Sequence, residues 1–328
     1  MYKSRTDAIN ILEHLQSSIS DDNTSKAIAA IYLFDFLDYL SHQSFPENWL
    51  SILEKRTDEL INVSEFIVNR LERDGMSSNL REIDINESFE YRTGEVYFRL
   101  WNDFDEQEYY DKTSEMLLSR FELNGIQINK YNNALDDGCG SGRYTIALKK
   151  IGCSKVTGID VSGNSIEFAK DKNIYQGNVD FKQGSVLDLP FEDESFDLVF
   201  SNGGLHHTSN TKKGLEEIFR VLRPGGGCWL YLYGGKGSFF WDVVETCRSL
   251  LSDIPQIYTM NLMKVLGYSS GRIFHRNDFF YVPVNNRYLV SELEEMLLSV
   301  GFNQSTRLLR GAAHDWDEII HANKHIDP

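Results

Sequence analysis

The chain has 328 residues, 41% of them hydrophobic and 25% charged, and a net charge of −16. That length buries one large core with room for a smaller one. The acidic balance argues against nucleic-acid binding by counterion release and against an anionic membrane surface. No apolar run reaches membrane-spanning length, and the polar start MYKSRTDAIN lacks the apolar centre of a secretion signal. The four cysteines (Cys139, Cys153, Cys228, Cys247) have no paired metal-ligand spacing, which predicts reduced thiols in a cytoplasmic protein and no metal site.

Residues 1–80 read as helical. Ile9, Leu12, Leu15 and Ile19 form one stripe. Asp22 to Thr24 offer a cap, and AIAAIYLFDFLDYL follows with apolar residues on most faces. Such a helix must be covered by other helices or by a partner. Pro46 opens a third helix carrying Trp49, Leu50, Leu53, Leu60, Val63, Ile67 and Leu71, and GMSSN (75–79) reads as a linker. This helical domain is expected to serve packing or homodimerisation, or to dock a large substrate such as a peptide or a carrier protein. Residues 85–125 are dense in tyrosine and acids. Met116, Leu117, Phe121 and Leu123 predict the buried face of a helix. Asp103, Asp105, Glu106, Glu108 and Asp111 read as a helix start and a solvated face rather than a metal cluster.

Residues 134–160, ALDDGCGSGRYTIALKKIGCSKVTGID, have the pattern strand, glycine loop, helix, strand, carboxylate. That is a βαβ unit, which binds a nucleoside-containing cofactor at the carboxyl ends of its strands. The loop spacing is GxGxG rather than the GxGxxG of dinucleotide sites. Asp136 and Asp137 stand directly before it, where a pyrophosphate would meet two like charges. A cofactor carrying an ammonium and a sulfonium would be attracted instead. S-adenosyl-L-methionine is such a cofactor; its carboxylate can use backbone N–H groups at the helix start, and Asp160 is placed to take both ribose hydroxyls.

Downstream, Ser165 to Lys170 continues a helix, Val179 to Phe181 is a third strand, and Phe196 to Phe200 a fourth that Ser201 and Asn202 end. Leu215 to Leu222 is a helix, RPGGG (223–227) a turn, and CWLYLYG (228–234) a fifth strand. An insertion, 235–288, carries Arg272 and Arg276, which either bind a carboxylate or phosphate or pair with the acidic surface. A helix at 291–299, a strand to Leu309 and a last strand near Trp316 to Ala322 close the chain.

LDDGCGSG followed by GIDVS resembles motifs I and II of class I S-adenosylmethionine-dependent methyltransferases. GSVLDLPFEDESFDLVFSNGGLHHT (184–208) and GLEEIFRVLRPGGGCWLYL (214–232) resemble the remaining motifs of the small-molecule branch. The resemblance covers residues 134–233, and 285–323 loosely. It implies an α/β fold: a doubly wound seven-stranded Rossmann-like methyltransferase sheet with an N-terminal helical bundle and a lid insertion. The methyltransferase domain would run over 81–328, with 81–130 as a cofactor lid and 235–288 covering the substrate pocket. Tyr91, Tyr97, Trp101, Tyr109 and Tyr110 could line the site, an aromatic face stabilising the sulfonium. The implied cofactor set is Asp136, Gly138, Gly140, Asp160, Val161, Ser185, Val186, Asn202 and Tyr97. Ser185 stands where relatives often carry the Asp that bonds the adenine amino group, so its hydroxyl or the Val186 backbone would serve. The position of Asp137 is usually apolar or small in the family. His206 and His207 fall in the loop after the fourth strand and are candidate bases, with structural packing as the alternative for one of them. The implied activity is methyl transfer to an O or N nucleophile of a small molecule of natural-product or sugar type. The alternative is a peptide or protein methyltransferase docking its substrate on residues 1–80. Nucleic-acid bases are disfavoured by charge and by SNGG in place of an NPPY-like motif.

Overall fold

The computed structural model describes residues 2–42, 47–73, 89–101, 110–175, 177–309 and 317–323. In chain order the helices are α1 (Tyr2–Ser18), α2 (Asn23–His42), α3 (Trp49–Arg73), α4 (Phe89–Trp101), α5 (Lys112–Leu123), α6 (Arg143–Lys150), α7 (Gly163–Asp171), α8 (Thr211–Val221), α9 (Phe239–Leu250), α10 (Gln256–Val265), α11 (Ser270–Tyr281) and α12 (Val290–Val300). The strands are β1 (Asn133–Asp137), β2 (Lys155–Asp160), β3 (Val179–Gln183), β4 (Phe196–Asn202), β5 (Leu222–Tyr233), β6 (Gln304–Arg307) and β7 (Asp317–Asn323). They divide into two compact units, Met1–Asn86 with Gly237–Tyr281, and Glu87–Lys236 with Val282–Pro328. Pro46, residues 75–79, Asp103, Asp105, Glu106, Glu108, Tyr109 and Trp316 lie outside the described residues, as do the side chains of Tyr91 and Trp101.

The sheet unit has strand order β3-β2-β1-β4-β5-β7-β6. Of the seven doubly wound strands expected, five run parallel, β3 to β5; β7 and β6 extend the β5 edge as an antiparallel pair. Chain order reverses direction between β1 and β4, so the crevice for a ligand opens at the carboxyl ends of those strands. Alternation along β1 feeds two cores. Ala134 packs with Leu117, Phe121, Leu148, Phe200 and Trp229. Leu135 packs on the other face with Leu205, Leu215, Ile218, Leu293 and Leu297. On α5, Leu117 and Phe121 are core as expected, but Met116 and Leu123 are 36% and 50% exposed. The inward positions are instead Thr113, Ser114, Leu117 and Phe121, whose spacing keeps one face of a 3.6-residue period. The RPGGG segment is absorbed into β5: Phe196 pairs with Leu222 and Leu198 with Gly227, a bulge that the positive φ of Gly225 accommodates.

In the helical unit, α2 buries Ala27, Ala30, Ile31, Phe34 and Leu37. Asp22 accepts from the Ser25 N–H at 2.9 Å, the cap expected there. The cover for the apolar α2 comes from α3 and the inserted α9 and α11. Phe34 meets Phe240, Phe279 and Phe280 at ring separations of 6.1, 5.5 and 5.4 Å. Arg5 clasps Asp242 with two hydrogen bonds of 2.7 and 2.8 Å. Arg276, 2% exposed, is held by Asp35 and Asp38, so it takes the ion-pair alternative. The insertion therefore packs with the N-terminal helices as one unit. On α3 the inner row is Leu53, Thr57, Leu60 and Ser64, which turns Val63 out to 48% exposure.

Candidate active site

The site is built where β1 hands over to α6. Gly138, Gly140 and Gly142 all take positive φ, at 78°, 53° and 84°. At Gly142 space matters as well as φ: a Cβ would stand 2.6 Å from the Phe181 ring. Gly138 and Cys139 donate their N–H groups to the Ile159 carbonyl at 3.0 and 2.9 Å, which ties the loop to β2. Asp160, the last residue of β2, accepts from the Gly140 N–H and the Ser162 N–H, both at 2.9 Å. Its carboxylate is thus fixed over the glycine loop by main chain alone. Burial nonetheless pushes its pKa up.

The two acids before the loop face opposite ways, as successive strand residues must. Asp136 accepts from Thr145 Oγ1 at 2.6 Å on the α6 side. Burial raises its pKa to about 7, with the Thr145 hydrogen bond opposing. Asp137 turns toward Ser201 and Cys228, is fully buried, and neither carboxylate oxygen has a hydrogen bond. Burial raises it to about 8, so it is largely neutral at pH 7. The expected acidic mouth of two charges is therefore corrected. Asp137 lies in the core, Asp136 is half-titrated near neutrality, and Asp160 is the carboxylate at the crevice.

The other expected residues lie around the same strand ends. Val161 is half-buried, and its carbonyl accepts from Gln183 Nε2 at 3.0 Å. Ser185 Oγ accepts from the Leu187 N–H at 3.1 Å, and Val186 packs against the core. Asn202 ends β4 with its side-chain oxygen accepting from Trp229 Nε1 at 3.2 Å. Tyr110 packs against the cluster of Cys139, Ile166 and Phe181 beneath the loop. Cys139 is buried there, and burial raises its thiol pKa, as suits a packing side chain.

His206 and His207 form a 3-10 turn with Leu205 after β4. The turn abuts the glycine loop: a Cβ on Gly138 would come 3.3 Å from Gly204 Cα. His206 is fully buried, 3.9 Å from the Tyr233 ring and 4.1 Å from the His207 ring. Neither of its ring nitrogens has a hydrogen bond, and burial, reinforced by His207, holds its pKa well below the usual imidazole range. His207 is 2% exposed, with Nδ1 2.7 Å from the Val284 carbonyl and Nε2 2.9 Å from Tyr97 Oη. The segment after α11 completes this wall, the Asn286 N–H donating to the His206 carbonyl at 2.8 Å.

Helix α4 crosses from β2 to the β4 loop. From one side of its middle turn Glu95 accepts from Ser162 Oγ at 3.4 Å and from Asn164 Nδ2 at 3.0 Å. From the opposite side, two residues on, Tyr97 reaches His207 at 2.9 Å. Strands β2 and β4 flank β1, so this helix spans the mouth of the glycine loop. The tyrosine-rich stretch carried a signal for Tyr97. Glu95, Ser162 and Val284 carried none, because their partners lie 67 to 77 positions away.

Residues 135–230 match a family model described as a methyltransferase domain. A demethylmenaquinone methyltransferase of Staphylococcus aureus is 45% identical over 106 residues, 32% of this chain and 44% of that protein. The chain thus spans less than half the length of the curated relatives it matches. Among solved structures, human N-acetylserotonin methyltransferase superposes with a TM-score of 0.47 and 21% identity, over 84% of this chain and 70% of that one. A SAM-dependent methyltransferase from Aquifex aeolicus superposes with a TM-score of 0.43 and 18% identity, over 70% and 98%.

Proposed function

We propose that this chain, residues 135–230 of which are a methyltransferase domain, uses S-adenosylmethionine to methylate an oxygen or nitrogen nucleophile of a small molecule. The observation that carries the reading is Asp160, clasped by the Gly140 and Ser162 N–H groups over a loop of three positive-φ glycines. Those two bonds leave the outward lone pairs of a carboxylate directed at a diol. The cradle of Gly138 and Gly140 has no side chains to exclude a ligand lying against the backbone. In this reading Asp160 and Val161 hold the ribose end, Ser185 and Val186 flank the base, and Asn202 borders the reacting end. Asp136 supports the loop from below through Thr145. Tyr97 and Glu95 hold α4 over the loop as a lid that excludes water. When bound, the cofactor supplies a methyl group already activated on a sulfonium, so the protein's part is orientation and proton handling.

A small-molecule acceptor is supported by the 45%-identical relative, a demethylmenaquinone methyltransferase. It is also supported by the −16 net charge, which disfavours nucleic acid. The buried thiols suit a reducing, cytoplasmic setting, and among the described residues no helix is long and apolar enough to cross a membrane.

Calorimetry with S-adenosylmethionine and S-adenosylhomocysteine tests the cofactor; a mass-shift screen of phenols, quinols, amines and peptides then tests the acceptor. Binding of both, with transfer to a small molecule, is the expected result. No binding of either overturns the reading, and transfer to peptides alone replaces the acceptor class. Asp160→Ala removes a charged hydrogen-bond acceptor, worth about 1.5–3 kcal/mol. Cofactor affinity should fall roughly ten- to a hundredfold; an unchanged affinity would place the cofactor elsewhere.

A further inference from the structure

His207 is buried, and both of its ring nitrogens face fixed partners. The Val284 carbonyl can only accept, so Nδ1, 2.7 Å away, carries a hydrogen. In the neutral ring Nε2 is then an acceptor, and Tyr97 Oη at 2.9 Å donates its phenolic hydrogen to it. A phenol oxygen that donates one hydrogen still has lone pairs to accept another. His207 is 2% exposed, whereas Tyr97 is half-buried on α4 at the loop mouth. A ligand in the crevice therefore meets the tyrosine before the imidazole. His206 is unlike its neighbour: fully buried, packed on Tyr233, and without a hydrogen bond at either nitrogen.

We propose that Tyr97 is the catalytic residue that takes the acceptor's proton, and that His207 acts only through it, as the positioning residue that receives the phenolic proton. This rests on the methyltransferase reading and deepens it. The step balances as follows. The acceptor's O–H or N–H bond breaks, and its electron pair becomes the new bond to the methyl carbon. The carbon–sulfur pair stays on sulfur. The released proton goes to Tyr97 Oη as the phenolic proton moves to His207 Nε2, which leaves an imidazolium. That imidazolium donates to Val284 from Nδ1 and back to Tyr97 from Nε2, so its charge is hydrogen-bonded on both sides. His206 packs and takes no proton. Tyr97 lies outside residues 135–230, so this group is supplied by the part of the chain that the family model does not cover.

The first test needs no acceptor. Full-length protein labelled with 15N-histidine and saturated with S-adenosylhomocysteine should give a two-bond 1H–15N correlation for His207 in the Nδ1–H tautomer near neutral pH. His207→Gln identifies the signal among the eight histidines. Tyr97→Phe should move its Nε2 resonance, while Tyr258→Phe, in the helical unit, should not. An Nε2–H tautomer, or an Nε2 signal blind to Tyr97→Phe, overturns the inference whatever the acceptor is. The second test uses the acceptor found by mass shift. Tyr97→Phe and His207→Gln should each lower kcat by about 10²–10⁴-fold, a far larger effect than any rise in the KM for cofactor from a looser α4, and the double variant should be no slower than the slower single one. Wild-type kcat in Tyr97→Phe overturns the inference and leaves methyl transfer standing. Failure of the wild-type protein to bind either cofactor form overturns the underlying reading instead. If His207→Gln does not fold, Tyr97→Phe, which removes one oxygen, decides alone.

Discussion

Asp137 follows Asp136 by one residue, and one residue on a strand is the difference between two faces. Asp136 finds Thr145; Asp137 finds a largely apolar core in which the Ser201 hydroxyl offsets only part of the cost of burial. Its ordinary pKa of 3.8 applies in the unfolded chain and about 8 in the folded one. Between those values the folded state binds the extra proton, so stability falls as pH rises, by up to roughly 1.4 kcal/mol per pH unit from this group. Below about pH 4 both states are protonated and the penalty vanishes. Asp137→Asn removes the titration while keeping the shape. Its Tm should exceed that of the wild type by a margin that grows from pH 5 to pH 8. A margin constant over that range would mean that Asp137 is hydrated or paired in solution. Charge counting along the sequence, which takes DD as two negative charges at a ligand, misses this because it ignores the strand's alternation. By contrast Gly138, Gly140 and Asp160 were legible, since a tight loop and a strand-end carboxylate are set by local chemistry.

At the scale of elements, α4 is the informative case. Gly94 sits inside this helix, where glycine costs about 1 kcal/mol relative to alanine. A Cβ there would stand 2.6 Å from Ser162 Cβ, so the glycine is what lets α4 close on the start of α7. That contact aligns Glu95 with Asn164 and, two residues on, Tyr97 with His207. Gly94→Val should therefore lift α4 while sparing the sheet, the overpacking costing about 1–3 kcal/mol of its docking. Hydrogen exchange should accelerate over residues 89–101 and remain slow in β1, β2 and β4. If protection is lost equally throughout, α4 is part of the sheet's cooperative core and not a lid. Sequence marked this stretch as a tyrosine-rich lid and not as a helix. Its docking left no signal either, because it depends on a contact between residues 94 and 162 that leaves no periodic trace in either segment.

For the whole molecule, the strongest local signals and the longest-range contacts lie in different units. The βαβ pattern, the strand ends and the closing helix–strand pair were legible because each is a run of adjacent residues with a fixed period. The partnership of α1 and α2 with α9 and α11 was not: Arg5 meets Asp242 and Asp35 meets Arg276, 237 and 241 positions apart. Sequence alone separates an N-terminal domain from a pocket-covering insertion, whereas Phe34, Phe240 and Phe279 share one aromatic cluster. This changes what truncation measures. Deleting residues 1–86 removes the cover of α9 and α11 and leaves Phe240, Trp241 and Phe279 without their neighbours, an apolar surface that favours aggregation. Removing 1–86 together with 237–281, and joining Lys236 to Val282 by a short Gly/Ser linker, removes a complete core and leaves the sheet unit with all of its own. The single deletion should accumulate as insoluble protein. The double deletion should be monodisperse by size exclusion, unfold cooperatively and retain S-adenosylhomocysteine binding by calorimetry, since Asp160, the glycine loop and α4 all remain. A soluble single deletion with native α9–α11 helicity would show that the insertion folds without α2. A double deletion that folds but loses the ligand would mean that the helical unit contributes to the cofactor site.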